Sequence, residues 1–115
     1  MATRPESVML VLVTAGSEEN ARAIARTLVE EKLAACVNIV GPIESIYRWK
    51  DAVEDESEYL MLIKTRARTF ARVSRRVKEL HTYEVPEVIG LPIAAGSEPC
   101  VQWLLDCTRP ASKKR

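Results

Sequence analysis

The chain has 115 residues, 17 basic against 16 acidic, a formal net charge of +1 and a hydrophobic fraction of 47%. That length bounds it to one domain whose core can bury roughly two-thirds of the unfolded surface without a disulfide or metal staple. The charge balance excludes a global pull toward nucleic acid or an anionic membrane, and no apolar run approaches the ~18 residues of a membrane span.

Residues 1–6 are polar and are expected to be disordered. Residues 8–13, VMLVLV, form an uninterrupted apolar run, the pattern of a strand buried on both faces of its sheet. Acidic Glu6 precedes the run and no cleavage site follows, so it reads as a first strand and not a secretory signal, and a cytoplasmic protein is expected. Thr14-Ala15-Gly16 turns the chain. Ser17 is a helix N-cap, with Glu18 and Glu19 at the positive end of the dipole. Ala21, Ile24, Ala25, Leu28 and Val29 repeat at helical spacing, and the helix ends near Lys32.

Residues 33–65 read as one long β-hairpin. The first arm, 35–49, carries Val37, Ile39, Val40, Ile43, Ile46, Tyr47 and Trp49; the second, 53–65, ends in Tyr59-Leu60-Met61-Leu62-Ile63. The turn falls near Lys50-Asp51-Ala52. Gly41-Pro42 interrupts the first arm, and Pro cannot donate to a ladder, so a bulge or bend is expected there. Each arm exceeds the usual strand of roughly 5–6 residues. Such a ribbon outruns its own sheet, exposes unpaired edges, and is expected to pair with another copy of the chain.

Phe70, Val73, Val77 and Leu80 make the next helical stripe, with Arg68, Arg72, Arg75, Arg76 and Lys78 off it. Residues 88–93 form a short strand that Pro92 consigns to an edge or an early end. Ser97 caps a last helix bearing Glu98, Pro99, Val101, Trp103, Leu104 and Leu105. Residues 7–107 are expected to be a single domain and 108–115 a basic, disordered tail. The order is an α+β, ferredoxin-like βαββαβ with a C-terminal helix, both main helices lying on one face of an antiparallel four-stranded sheet. The first strand and residues 59–63 are apolar on both faces, and the last helix is too small to cover the second. An obligate homo-oligomer is expected.

His81, the single histidine, sits in His81-Thr82-Tyr83-Glu84-Val85-Pro86-Glu87 on a connection between helix and strand. Imidazole suits Cu(II), Zn(II) and Ni(II), and Glu84 and Glu87 can add oxygen ligands. The other reading of His81 is a partner for the negative end of its own helix. One histidine is too few for a tight site within one chain. Tyr47, Trp49 and Lys50 cluster at the hairpin tip beside Glu54, Asp55 and Glu56, either lining an intersubunit cleft or packing across strands. The carboxylates of Glu54, Asp55, Glu56 and Glu58 lack the spacing and central glycine of a calcium loop. Cys36, Cys100 and Cys107 have no Cys-x-x-Cys spacing and read as structural. The basic helix does not argue for RNA, because the inner strands are aliphatic where base-stacking aromatics are needed. No nucleophile motif or phosphate loop is present, so no catalytic or cofactor-binding residue is assigned and no enzyme is expected.

Five phrases in register resemble the CutA family, the divalent-cation tolerance proteins. They are Leu33-Ala34-Ala35-Cys36-Val37-Asn38-Ile39, Ser45-Ile46-Tyr47-Arg48-Trp49-Lys50, Leu62-Ile63-Lys64-Thr65, the His81 phrase through Glu87, and Leu91-Pro92-Ile93. The resemblance covers about residues 7–106. It implies a ferredoxin-like subunit in a homotrimer with hairpins pairing between subunits, binding of copper and other divalent cations, a role in metal tolerance, and no enzymatic reaction. It implies His81 as the metal ligand and Tyr47, Trp49, Tyr83, Glu84 and Glu87 as lining the cleft between subunits. Two departures stand out. The family's His-Pro-Tyr is His81-Thr82-Tyr83 here, and a first-strand cysteine of some bacterial relatives is replaced by Val13-Thr14. An imidazole and carboxylate site remains, weak or transient, suited to Cu(II) or Zn(II) over copper(I). The trimer also resembles the PII nitrogen regulators, so a signalling trimer that binds a small effector between subunits is the alternative.

Overall fold

The computed structural model describes residues 7–109; the expected disorder at 1–6, and the tail from 110 onward, lie outside the described residues. The elements run β1 (Val8–Ala15), α1 (Glu18–Glu30), β2 (Cys36–Trp49), β3 (Ala52–Arg66), a 3-10 turn (Ala67–Thr69), α2 (Phe70–Leu80), β4 (Ile89–Pro92) and α3 (Glu98–Cys107). The sheet order is β2-β3-β1-β4 with every neighbouring pair antiparallel. This is the ferredoxin-like α+β arrangement.

Local chemistry sets the helix positions. Ser17 accepts the amide of Asn20 at 3.0 Å and caps α1. Its apolar stripe, Ala21, Ile24, Ala25 and Leu28, is buried, while Val29 lies on the exposed flank. Val73 and Val77 of α2 are buried alongside it. These side chains close over Val11, Val13, Met61 and Ile63 of the inner strands, and burial of each such side chain contributes about 1.5–3 kcal/mol. Arg76 locks the two helices together, forking Glu31 at 3.0 and 2.9 Å and meeting Glu79 at 3.0 Å.

Within one chain the inner strands are fully buried on the helical face, and the second face is left partly open, as expected from a last helix too small to cover it. Val11, Val13 and Ala15 are buried, whereas Leu10, Leu12 and Thr14 alternate with them and stay half-buried. The reason is geometric: α1 and α2 sit on one side. By register, Leu10 and Leu12 share the other face with Leu60, Leu62, Val40, Ile89 and Leu91. Of these, Val40, Ile89 and Leu91 are 46%, 49% and 43% exposed. Helix α3 covers only one end of that face, packing Val101, Leu104 and Leu105 on Val8 and Ala35.

Two boundaries differ from expectation. The last strand is shorter than 88–93, closing at Pro92 as an edge strand, with Val88 packed into the core and the Ile93 amide donating to Val8 O at 3.1 Å. Thr108, assigned by sequence to the disordered tail, is 3% exposed. Its hydroxyl donates to Leu104 O at 2.8 Å and accepts from Arg66 Nε at 3.2 Å, satisfying the open end of α3. The packed domain therefore runs through Thr108, and Arg109 meets Asp106 at 2.9 Å.

The long hairpin pairs from Cys36↔Lys64 to Trp49↔Ala52. Lys50 and Asp51 both have left-handed backbones, φ 50° and 68°, the two-residue primed turn whose twist matches the strands. The expected bulge falls between Val40↔Leu60 and Ile43↔Glu58, where Gly41 and Pro42 together oppose Tyr59. One extra residue reverses the facing of everything beyond it. Val37 and Ile39 share the helical face with Ile63 and Met61. Past the bulge, Ser45 and Tyr47 instead join Glu56 and Glu54 on the opposite face.

Candidate functional site

That reversal brings Tyr47 and Trp49 up beside the segment linking α2 to β4. His81 ends α2: its amide closes on Val77 O at 2.9 Å and its ψ of 150° turns the chain out of the helix. The imidazole then holds the connection. Nε2 lies 2.8 Å from Thr14 O, and the Tyr83 amide donates to Nδ1 at 3.0 Å. An amide can only donate, so Nδ1 is the acceptor and the proton sits on Nε2, aimed at the Thr14 carbonyl. The contact expected with its own helix end is thus a contact with the end of β1.

Tyr83 folds back with its ring 4.7 Å from the imidazole. Gly16 makes room for it, since a Cβ there stands 2.9 Å from the hydroxyl. That hydroxyl donates to Glu58 Oε2 at 2.6 Å. Across the cleft, Tyr47 donates to Glu56 Oε1 at 2.8 Å. Lys50 Nζ lies 5.6 Å from the Trp49 ring centroid and 3.8 Å from Glu84 Oε1. Between the ribbon and the connection opens a cleft of about 640 Å³, with Tyr47, Trp49 and Tyr83 as aromatic walls and Glu58, Glu84 and Glu87 as its acids.

Burial, then the bond to Glu58, pushes the Tyr83 phenol above its ordinary value; the bond to Glu56 raises Tyr47 to about 12. Both shifts are upward, so the folded chain holds these phenols protonated more tightly than the unfolded chain does. Their contribution to stability is whole below the free-tyrosine value of about 10. It is lost as pH rises from there through about 12. A phenolate absorbance titration should show Tyr47 and Tyr83 ionising late, and Tyr47→Phe should remove one late step. Ionisation of Tyr47 and Tyr83 at the free value would contradict the hydrogen bonds.

The structure therefore brings Tyr47, Trp49, Tyr83, Glu84 and Glu87 together as the lining of one cleft, while His81 does not line it but holds Tyr83 in place, and Lys50 meets it only through Glu84. It gives site roles to three residues that the sequence offered only as part of an acidic run (Glu58) or of a turn after the first strand (Thr14 and Gly16). The strand alternation Glu54, Glu56, Glu58 was the available signal. As a metal cage the single chain does not fit. Among the described residues, no three His, Cys, Asp or Glu side chains converge on one point, and both His81 nitrogens are engaged. The cysteines are apart and free; Cys36 Sγ donates to Asn38 at 3.7 Å, and Cys100 is exposed.

Comparison with known proteins agrees with this architecture. The profile of the CutA1 divalent ion tolerance protein family matches residues 9–107. The chain is 52% identical over 99 residues to the divalent-cation tolerance protein CutA of Thermus thermophilus, covering 86% of this chain and 96% of that one. It is 44% identical over 108 residues to human Protein CutA, spanning 94% of this chain but only 60% of the human protein. The crystal structure of CutA1 from Oryza sativa superposes with a TM-score of 0.88 at 42% identity, covering 92% of this chain and 97% of that one.

Proposed function

The chain belongs to the CutA1 divalent ion tolerance protein family, and on that footing we propose that it serves tolerance to divalent cations as a homotrimer that binds Cu(II), or secondarily Zn(II), weakly and transiently at the cleft. The observation that carries this reading is the make-up of one short connection: the His81 imidazole and the exposed carboxylates of Glu84 and Glu87, which among the described residues converge on no common point within a single chain. Such donors suit Cu(II) or Zn(II). Metal binding at Nδ1 costs the Tyr83 amide bond, about 1 kcal/mol net, which keeps affinity low. The homotrimer is supported by the uncovered apolar sheet face and by the ribbon that extends beyond the sheet. Free thiols support a cytoplasmic setting. No reaction is assigned, because the single histidine already spends both nitrogens on the backbone.

Calorimetric titration of Cu(II) into the protein and into His81→Ala tests this. Weak binding that disappears in the variant is expected. Equal binding by both, or tight binding that survives the change, would remove His81 from the site.

A second reading, an effector-binding regulator, is supported by the cleft itself. Its volume suits a small organic molecule better than a bare ion.

A further inference from the structure

We propose that the cleft is a receptor for an organic cation, an ammonium or guanidinium group on an alkyl stem, with Glu58 as its counter-charge and the rings of Tyr47, Trp49 and Tyr83 as its walls. The proposal rests on reading the cleft as an effector site, and names the chemistry that site selects.

Three observations carry it. First, Glu58 is 5% exposed, yet among the described residues its side chain is hydrogen-bonded by a neutral donor, the Tyr83 hydroxyl at 2.6 Å. No ion pair reaches it among the described residues, and a buried carboxylate is costly without a cation. Glu58 lines the cleft, so that is the side from which a cation has access. Second, the walls are aromatic. Ring faces attract ammonium and guanidinium groups, and the attraction grows as water is excluded. Third, the chain already presents a tethered example. The Lys50 ammonium stands 5.6 Å from the Trp49 centroid and 3.8 Å from Glu84, an aromatic face and a carboxylate sharing one alkylammonium at the mouth. Tyr83 and Glu58, which line the same cleft, repeat that pairing of ring and carboxylate, and among the described residues no ion pair supplies Glu58 with an ammonium. At about 640 Å³ it exceeds what a bare divalent ion needs and fits an alkylamine.

The same cation can arrive on a free amine or on a Lys or Arg of a second copy of the chain, and the test separates the two. Melting temperature is measured with n-butylamine, agmatine and, as a neutral control, 1-butanol, for the wild-type chain, Glu58→Gln and Trp49→Leu. Gln keeps the size of Glu58 and can still accept from Tyr83. A ligand of the native state must raise the melting temperature. If the amine is free, millimolar amine raises it by several degrees, butanol does not, the rise vanishes in Glu58→Gln and shrinks in Trp49→Leu. If the cation belongs to a second copy, amines are silent in the wild type, while Glu58→Gln melts lower and shifts to lower mass in light scattering. Silence of the amines together with unchanged mass and melting in Glu58→Gln overturns the proposal. The copper titration reads His81 rather than Glu58, so either proposal can fail while the other stands.

Discussion

Leu62→Arg is expected to reduce the protein to single chains of 12.9 kDa in light scattering while leaving its circular dichroism unchanged. Leu62 sits mid-strand on β3, opposite Leu12 on one side and Asn38 on the other, on the sheet face away from α1 and α2. Its neighbours Met61 and Ile63 point into the core, so the substitution leaves the helical face intact. In a lone chain, an arginine there reaches water along its own stem. In an assembly that covers this face, it becomes a buried charge without a partner, at an effective cost of several kcal/mol per copy. Leu62→Met, close to Leu in volume, should keep the assembly. A multi-chain mass for Leu62→Arg equal to that of the wild type would show that subunits meet elsewhere, and the ribbon edges would be the next place to look.

Gly41→Val is expected to lower stability by about 1–3 kcal/mol, the usual cost of forcing atoms into a packed site. For a domain this size that is a fall of roughly 5–10 °C in melting temperature. A Cβ at Gly41 collides with the Tyr59 ring, with Cδ2 nearest and Cε2 and Cγ both at 3.0 Å. That ring cannot yield cheaply because it packs against the core at the bulge. The check is a double-mutant cycle. In a Tyr59→Ala background the collision has no partner, so most of the Gly41→Val penalty should disappear, a coupling of about 0.5–3 kcal/mol. An equal penalty in both backgrounds would place the strain in the backbone instead. If the chain expels the bulge to escape the clash, Tyr47 and Trp49 turn to the other face and the cleft goes with them.

The long hairpin, its bulge and its turn were legible because each is written locally. Gly41-Pro42 cannot continue a ladder, and the β-branched runs on either side specify strands. The helices were legible from caps and stripes, Ser17 with Ile24 and Leu28 above all. The two-faced apolarity of residues 8–13 and 59–63 was legible as well, and the half-buried second face of β1 in one chain is what a last helix too small to cover it leaves. Thr108 was misread. A threonine in a basic run looks like tail, and its role depends on Arg66, 42 residues earlier. The site followed the same rule. His81 was conspicuous as the single histidine, but its partner Thr14 lies 67 residues away, and Tyr83 finds Glu58 at a separation of 25. No local pattern encodes such pairings.

The bulge also divides the ribbon's labour. Before it, β2 places Val37 and Ile39 against the core; beyond it, the same strand places Tyr47 and Trp49 at the cleft. Substitutions on the inner half are expected to register as folding defects, and those on the outer half as changes in the lining of the cleft. One strand thus carries two physically separate duties, and the lining of the cleft can be altered residue by residue without disturbing the half that packs on the core.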